Sequence, residues 1–450
     1  MLKTAGAICV RFSKQYVPNP FVFAILITLF IFALGIFITP ASPMDMVSFW
    51  YLGFWDLLNF SMQMVAILLF GYVLASSPPV RRVIGKAAKL PKSPGQAIVL
   101  ITLLAIGFGY LSWGLGLIVG AIAAKEVCYE AKSRQIKVHY PLAAAAGFTG
   151  LIMFNNGFSA SAPLLVNTEG HFLHDVIGLI PVTETIFAIP SLITLALFTL
   201  CIPFVYRAMH PDERDVEEIP DRDPSIAEAA AEAQQVKAET IAEKLEVSKL
   251  LNYLIVLGGV IYIVYHFMTR GFDLNLNIIN FSLMIIGMAM YKTPIAYVQA
   301  IDQGITACGQ IVLQFPFYAG IMGMMAKSGL VEIFAGWLIA ISNQFTLPFF
   351  AFVSAGLINI AIPSAGGQWA VQGPILVEAA KMLDVDIGLI VMAYSYGDQV
   401  TNGIQPMWML PLLGIAALKA RDILGYTAVM MIVAFTIFTL GLTVFPLMFL

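Results

Sequence analysis

The chain has 450 residues, 59% of them hydrophobic and only 11% charged, with a formal net charge of −3. That balance excludes a soluble globular protein of ordinary composition and offers no basic surface for nucleic acid; it describes an integral membrane protein with the lipid bilayer as its solvent. Apolar runs of about 20 residues recur to the C-terminus without strict alternation, so the fold class is all-α and polytopic rather than a β-barrel. Cys9, Cys128, Cys201 and Cys308 lie far apart with no CxxC, which supports neither a disulfide framework nor a metal site, and nothing calls for a cofactor.

The first apolar run, 21–39, follows Lys3, Arg11 and Lys14 and reads as a retained helix rather than a signal segment. A second helix, 54–76, ends at the basic run Arg81, Arg82, Lys86, Lys89 and Lys92, which places that loop and the N-terminus in the cytoplasm. Residues 95–124 are apolar but broken at Ser112-Trp113-Gly114-Leu115-Gly116, with basic residues on both flanks. Two full crossings by short helices or a hairpin that dips in and returns would each fit. Arms of about fifteen residues fall short of a full crossing and favour the re-entrant hairpin.

Residues 140–166 form a second broken segment, interrupted at Asn155-Asn156-Gly157-Phe158-Ser159-Ala160-Ser161. A short external loop with Glu169, His171, His174 and Asp175 leads to a helix over 177–205, which Pro181 and Pro190 would bend. The span 1–206 is then a first membrane repeat, and 207–249 a hydrophilic cytoplasmic linker whose Ala/Glu run reads as a surface helix. From 250 an extra helix and a second repeat follow: a crossing over 281–291 and its flanks, a helix at 305–325, an amphipathic stretch at 330–341, a hairpin over about 346–383 and a broken helix over about 387–418, then a last helix.

The hairpin precedes the broken helix in both halves. Gln63 and Gln314 lie 251 positions apart and Ala75/Ala326, Ser77/Ser328 and Gly116/Gly367 share that shift, yet identity along it is no more than chance gives, so the repeat rests on the order of the breaks. Counted crossings bring the first hairpin in from the cytoplasm and the second, flanked by Asp384 and Asp386, from outside. The architecture expected is two inverted repeats, about nine spanning helices plus two hairpins.

The second hairpin turns in NIAIPSAGGQWAVQG, where Pro363, Ser364 and Gly366-Gly367 break the helix and Gln368 and Gln372 place amides that hydrocarbon does not tolerate. A kinked structural helix is the plain alternative for any one break; paired breaks in two halves point to a transporter's central site. Half-helix amides there suit an anion and half-helix carbonyls a cation such as sodium. The candidate substrate-binding residues are therefore Trp113, Gly114, Gly116, Asn155, Asn156, Gly157, Ser159, Ser161, Ser364, Gly366, Gly367, Gln368, Gln372, Thr401, Asn402, Gly403 and Gln405. No basic side chain falls inside a break, so a small carboxylate would be held weakly and reversibly by neutral donors. Asp398, four residues before Asn402, is the candidate ion-coupling residue, a structural aspartate bonded to helix ends being the alternative. Trp113 and Trp369 at the hairpin tips could meet apolar substrate atoms, although membrane tryptophans more often anchor at the interface. Lys125, Glu126 and Glu378 read as solvated ends, and His139, His171, His174 and His210 fall in loops or near ends, which leaves a histidine proton relay unsupported.

Beyond these patterns the chain closely resembles the bacterial short-chain fatty acid transporter family nearly end to end. The likeness rests on VPNPFVFAILITL, GFWDLLNFSMQM, WGLGLIVGA, NNGFSASAPLL, GLIPVTETIF, ILGYTA, LQFPFYAGIMGMM and NIAIPSAGGQWAVQGP taken together. The resemblance implies secondary transport of acetoacetate or butyrate-like monocarboxylates across the bacterial inner membrane. Symport with protons or sodium and elevator-like alternating access are the expected mode, and a homodimer stays open. The rival reading is a passive small-anion channel. An intramembrane enzyme is disfavoured, because no Ser/His, paired-Asp or HExxH arrangement lies in the membrane segments.

Overall fold

The structure, a computed structural model, describes residues 20–221 and 240–448, and all regular structure among them is helical. Proline opens helix after helix, since its missing N–H costs nothing in a first turn. The first half comprises α1 (Pro20–Ile38), α2 (Pro43–Gly53), α3 (Leu58–Ala75), α4 (Pro78–Ala87), the hairpin arms α5 (Pro94–Leu111) and α6 (Trp113–Ser133), the broken segment α7 (Tyr140–Gly147) and α8 (Ser161–Val166), and α9 (Ile189–Ala208). A lone helix, α10 (Lys249–Arg270), follows. The second half comprises α11 (Leu276–Tyr291), α12 (Pro294–Gly304), α13 (Gly309–Ser328), α14 (Leu330–Ala340), the hairpin arms α15 (Leu347–Ala361) and α16 (Ala365–Met382), the broken segment α17 (Ile387–Thr401) and α18 (Pro406–Ala416), and α19 (Ala420–Thr443).

The two halves run in the same order. α2 and α12 begin 251 positions apart, as do α3 and α13, whereas α6 and α16 are offset by one more. Packing is reciprocal as well: α13 lies on α1 and α2, and α3 lies on α11 and α12. Each half thus supplies the flank of the other's central helix, as two copies related by a two-fold operation would. Among the described residues, α3, α5, α9, α10 and α19 are each long and apolar enough to cross a membrane alone; α12 with α13 makes a sixth if that bent pair is one span. Several other helices are apolar but shorter, so length alone does not give the nine expected spans.

Several boundaries differ from the sequence reading. The first hairpin's arms hold 18 and 21 residues rather than about fifteen, because α6 continues past Lys125 to Ser133. Arm length therefore does not argue for re-entry, and the tight turn at Ser112 and the basic flanks fit two full crossings equally well. The helix expected over 177–205 starts only at Ile189, with Pro190 in its first turn and Pro181 in the preceding loop, so neither bends it. Unwinding of the first broken segment begins at Phe148, in 3-10 turns that run to Asn156. Lys3, Arg11, Lys14, Cys9 and most of the Ala/Glu run lie outside the described residues. The described end of that run is helical, Ile241–Glu246, with Thr240 and Glu243 capping one another.

Backbone contact locks hairpins to broken segments. A Cβ on Gly120 of α6 would fall on the carbonyl oxygen of Gly147 at the end of α7, and one on Gly397 of α17 would fall on the Phe352 carbonyl of α15. Only glycine allows so close an approach. Gly120→Val is expected to overpack this seam by about 1–3 kcal/mol and to lower the melting temperature in detergent, whereas the same change at Gly85, which faces open space, leaves it unaltered. An unchanged melting temperature for Gly120→Val would refute the seam.

The chain after α9 straps across the base of the first hairpin. His139 N–H donates to His210 Nε2 at 3.1 Å, Glu217 N–H to His139 Nδ1 at 3.0 Å, and Lys132 Nζ to Asp221 Oδ1 at 2.7 Å. His210 Nδ1 carries the hydrogen that reaches the Pro211 carbonyl, so its Nε2 must stay unprotonated to accept. Burial pushes His210 below the usual imidazole range, opposed in part by that Pro211 bond. Its contribution to strap stability is therefore complete above about pH 6.5, the unfolded value, and is lost as pH falls toward the depressed folded value. Hydrogen exchange across 210–221, corrected for intrinsic rates, is expected to accelerate between pH 7 and 5.5 in the wild type and less steeply in His210→Gln, which keeps the His139 acceptor for Glu217 N–H.

Candidate functional site

Both hairpin tips and both breaks converge on one cavity of about 350 Å³. Each hairpin turns at a serine in extended conformation, Ser112 at φ −161° and Ser364 at φ −155°, which starts the returning arm afresh. The Ser364 hydroxyl accepts from Gly367 N–H at 3.3 Å. At the other tip Trp113 N–H donates to Ser159 Oγ at 2.9 Å, so the first break caps the first hairpin. Gly114 and Gly366 stand in the first turns of α6 and α16, where no carbonyl of their own helix reaches their amides.

Of the predicted residues, Trp113, Gly114, Ser161, Ser364, Gly366 and Asn402 line the cavity, together with Asp398. The others support it. Asn155 gives its amide to Asp398 Oδ2 at 3.0 Å and to the Ser395 carbonyl at 3.2 Å, and accepts from Ser161 N–H at 3.2 Å. Asn156 donates to the Tyr396 hydroxyl and accepts from Gln399. Gln405 donates to the Asn359 carbonyl at 2.9 Å, and Thr401 Oγ1 accepts from the Asn359 amide at 2.8 Å. Gln368 and Gln372 bond each other, the Ala355 carbonyl and Ser354, inside the second hairpin. Gly116, Gly157, Gly367 and Gly403 are packing positions, against Gly109, the Tyr110 carbonyl, the Tyr318 ring and Met431. Trp369 is buried against Tyr394 at 4.8 Å between ring centres and does not reach the cavity. Lys125, Glu126 and Glu378 are half-buried and stand away from it.

Sequence reasoning missed the opposite wall. Met64, Leu68 and Tyr72 of α3 and Gln310, Ile311, Gln314 and Phe315 of α13 close the cavity, and Trp408 of α18 meets Trp113 edge-on at 5.5 Å. The Gln63/Gln314 pairing and the motifs GFWDLLNFSMQM and LQFPFYAGIMGMM had marked these helices without marking them as site. Asn359 was missed too: its amide donates to the Asp398 carbonyl at 2.6 Å and to Asn402 Oδ1 at 2.9 Å, joining α15 to the second break. The wall is largely apolar, and among the described lining residues none is Lys, Arg or His. Asp398 is 1% exposed, and its Oδ1 takes no partner among the described residues. One carboxylate therefore stands in the wall of an apolar space rimmed by amides, where an uncompensated charge is costly.

A family model described as "Short chain fatty acid transporter" matches residues 1–445. A protein of Escherichia coli strain K12 is 40% identical over 438 residues, covering 97% of this chain and 98% of its own length. One of Haemophilus influenzae is 35% identical over 451 residues, covering 98% and 99%. Both carry the name "Putative short-chain fatty acid transporter". Among solved structures, the YdaH transporter of Alcanivorax borkumensis superposes over 95% of this chain and 97% of its own with a TM-score of 0.57, at 17% identity, and so shares the fold. This chain belongs to the short-chain fatty acid transporter family, a family of membrane transporters and not of enzymes.

Proposed function

We propose that the protein moves acetoacetate, butyrate and similar small monocarboxylates across the bacterial inner membrane as a proton- or sodium-coupled symporter. The observation that carries this reading is the Asp398 carboxylate, with Oδ1 unpartnered among the described residues, in the wall of an apolar cavity where both hairpin tips and both breaks meet. At about 350 Å³ the space is near the lower end for ligand pockets and suits a four-carbon acid rather than a long-chain one. The substrate carboxylate settles on the tip amides of Gly114 and Gly366, and the hydrocarbon tail lies along the apolar wall. Two bare carboxylates about 4 Å apart repel by about 4 kcal/mol at an effective dielectric near 20, close to three decades in affinity. A proton or sodium ion at Asp398 removes that penalty, so cation and anion load together.

Movement of the hairpin unit, α5–α9 with α15–α19, past the remaining helices supports alternating access, because the cavity lies between the two groups. Polar contacts tie the groups at one edge: Asn167 donates to Asp273 Oδ1 at 3.2 Å and to the Leu274 carbonyl at 3.0 Å, and Thr168 Oγ1 accepts from Leu276 N–H at 3.1 Å. These bonds hold one arrangement and must part for the other.

Uptake of radiolabelled butyrate into proteoliposomes under separate proton and sodium gradients tests the reading. Accumulation that one gradient drives, and that its collapse abolishes, is expected; uptake that never exceeds equilibrium means a channel. Asp398→Asn is expected to cut accumulation at least tenfold while leaving exchange of internal for external butyrate within a few fold, because the amide imitates the neutralised carboxylate. Retained accumulation with wild-type ion dependence would make Asp398 structural. In a cysteine-free background, Asn167→Cys with Asp273→Cys should lose uptake on oxidation and regain it on reduction; full activity in the cross-linked state would mean a fixed pore.

A further inference from the structure

α13 carries Gln310, Gln314 and Tyr318 at four-residue spacing, which stacks them on one face of the helix. The Tyr318 hydroxyl, fully buried, donates to Gln314 Oε1 at 2.9 Å, and Gln314 Nε2 donates to Gln310 Oε1 at 2.7 Å. The relay has a polarity. With the phenol donating to the Gln314 oxygen, the nitrogen of Gln314 meets the oxygen of Gln310, and the amide nitrogen of Gln310 is left as the outermost group. Among the described residues that nitrogen takes no partner, and Gln310 and Gln314 both line the cavity. The Tyr318 ring lies against Gly367, where any side chain would collide with it, so the relay is seated against the returning arm of the second hairpin.

We propose that Gln310 binds the substrate carboxylate through its amide N–H groups, with Gln314 and Tyr318 as positioning residues that hold the amide this way round. The inference rests on the monocarboxylate reading above and deepens it. In a cavity without Lys, Arg or His, a neutral amide with two free hydrogens is, with the Tyr72 hydroxyl, one of the side-chain donors that the wall opposite the breaks offers an anion. Because α13 lies outside the hairpin unit, the contact exists only while that unit stands beside it. The bound acid therefore bridges the moving and fixed groups, and leaves Gln310 behind when the unit moves.

The test is butyrate uptake into proteoliposomes, with KM and Vmax measured separately for wild type, Gln310→Ala, Tyr318→Phe and the double variant. Gln310 is exposed to the cavity, so its truncation leaves helix packing intact. Gln310→Ala is expected to raise KM about tenfold with Vmax within twofold, the size of one hydrogen bond to a charged group. Tyr318→Phe keeps the ring against Gly367 and raises KM about threefold alone, but adds nothing in the Gln310→Ala background, since it acts only through that amide. An unchanged KM for Gln310→Ala, or a loss confined to Vmax, overturns the proposal. So does a Tyr318→Phe effect of equal size with and without Gln310. If wild-type liposomes take up no more butyrate than empty ones, the monocarboxylate reading itself fails; wild-type uptake with indifferent variants refutes Gln310 alone.

Discussion

Everything at the centre of this fold depends on satisfying buried backbone that has left helical geometry. Each orphaned amide or carbonyl there costs several kcal/mol if left bare. Side-chain amides supply the partners. Asn359 reaches the Asp398 carbonyl, Thr401 and Asn402, while Gln405 returns a bond to the Asn359 carbonyl; Asn155 takes Gln399 on its own N–H and offers its oxygen to Ser161. Asn and Gln suit this work because each is donor and acceptor at once and carries no charge to desolvate. The bonds also cross between halves. The first break is braced by α17, and the second by the hairpin arm α15.

That bracing explains why the carboxylate at Asp398 can sit where it does. One of its oxygens is held by Asn155, its carbonyl is held by Asn359, and its other oxygen takes no partner among the described residues. The residue is fixed at two points and unsatisfied at a third, and that third point is what the proposed ion-coupling role would use. The tip serines, the glycine seams and the Trp113–Trp408 contact then set the walls around it, and α3 and α13 close the space from outside the hairpin unit.

The hairpins and breaks were legible because proline, glycine and asparagine are local signals: Pro363 to Gly367 and Thr401 to Pro406 announce their own conformation whatever packs around them. Which of their side chains face the cavity was not legible. Unwound backbone has no period, so Gln368 and Gln372 looked as exposed to ligand as Ser364 and Gly366, and only packing shows that they bond to Ser354 and Ala355 instead. The far wall was hidden for a different reason. Met64, Leu68, Tyr72 and Phe315 are ordinary membrane-helix residues, and their place in the site follows from reciprocal packing of two halves rather than from any motif. Pro181 misled for want of context: a proline bends a helix only if the chain around it is already helical, and here the helix starts eight residues later.

If the cavity is the proposed site, a wall of this composition sets the kind of selectivity available to a small acid. Each methylene laid against apolar side chains adds about 0.8 kcal/mol, close to fourfold in affinity, so chain length is read in shallow steps as long as the tail finds room. The steps end abruptly where the room ends, since close-packed interiors resist an added methylene at about 1–3 kcal/mol. Trp113, Trp408 and Phe154 are rigid aromatic rings at the breaks, and rings in mutual contact yield less than aliphatic side chains do. The carboxylate end behaves oppositely. Neutral amides bind an anion more weakly than a buried arginine would, but they leave no unpaired charge behind when it departs, and a site that must empty on the far side of a membrane at each turnover is served better by that balance than by tight binding.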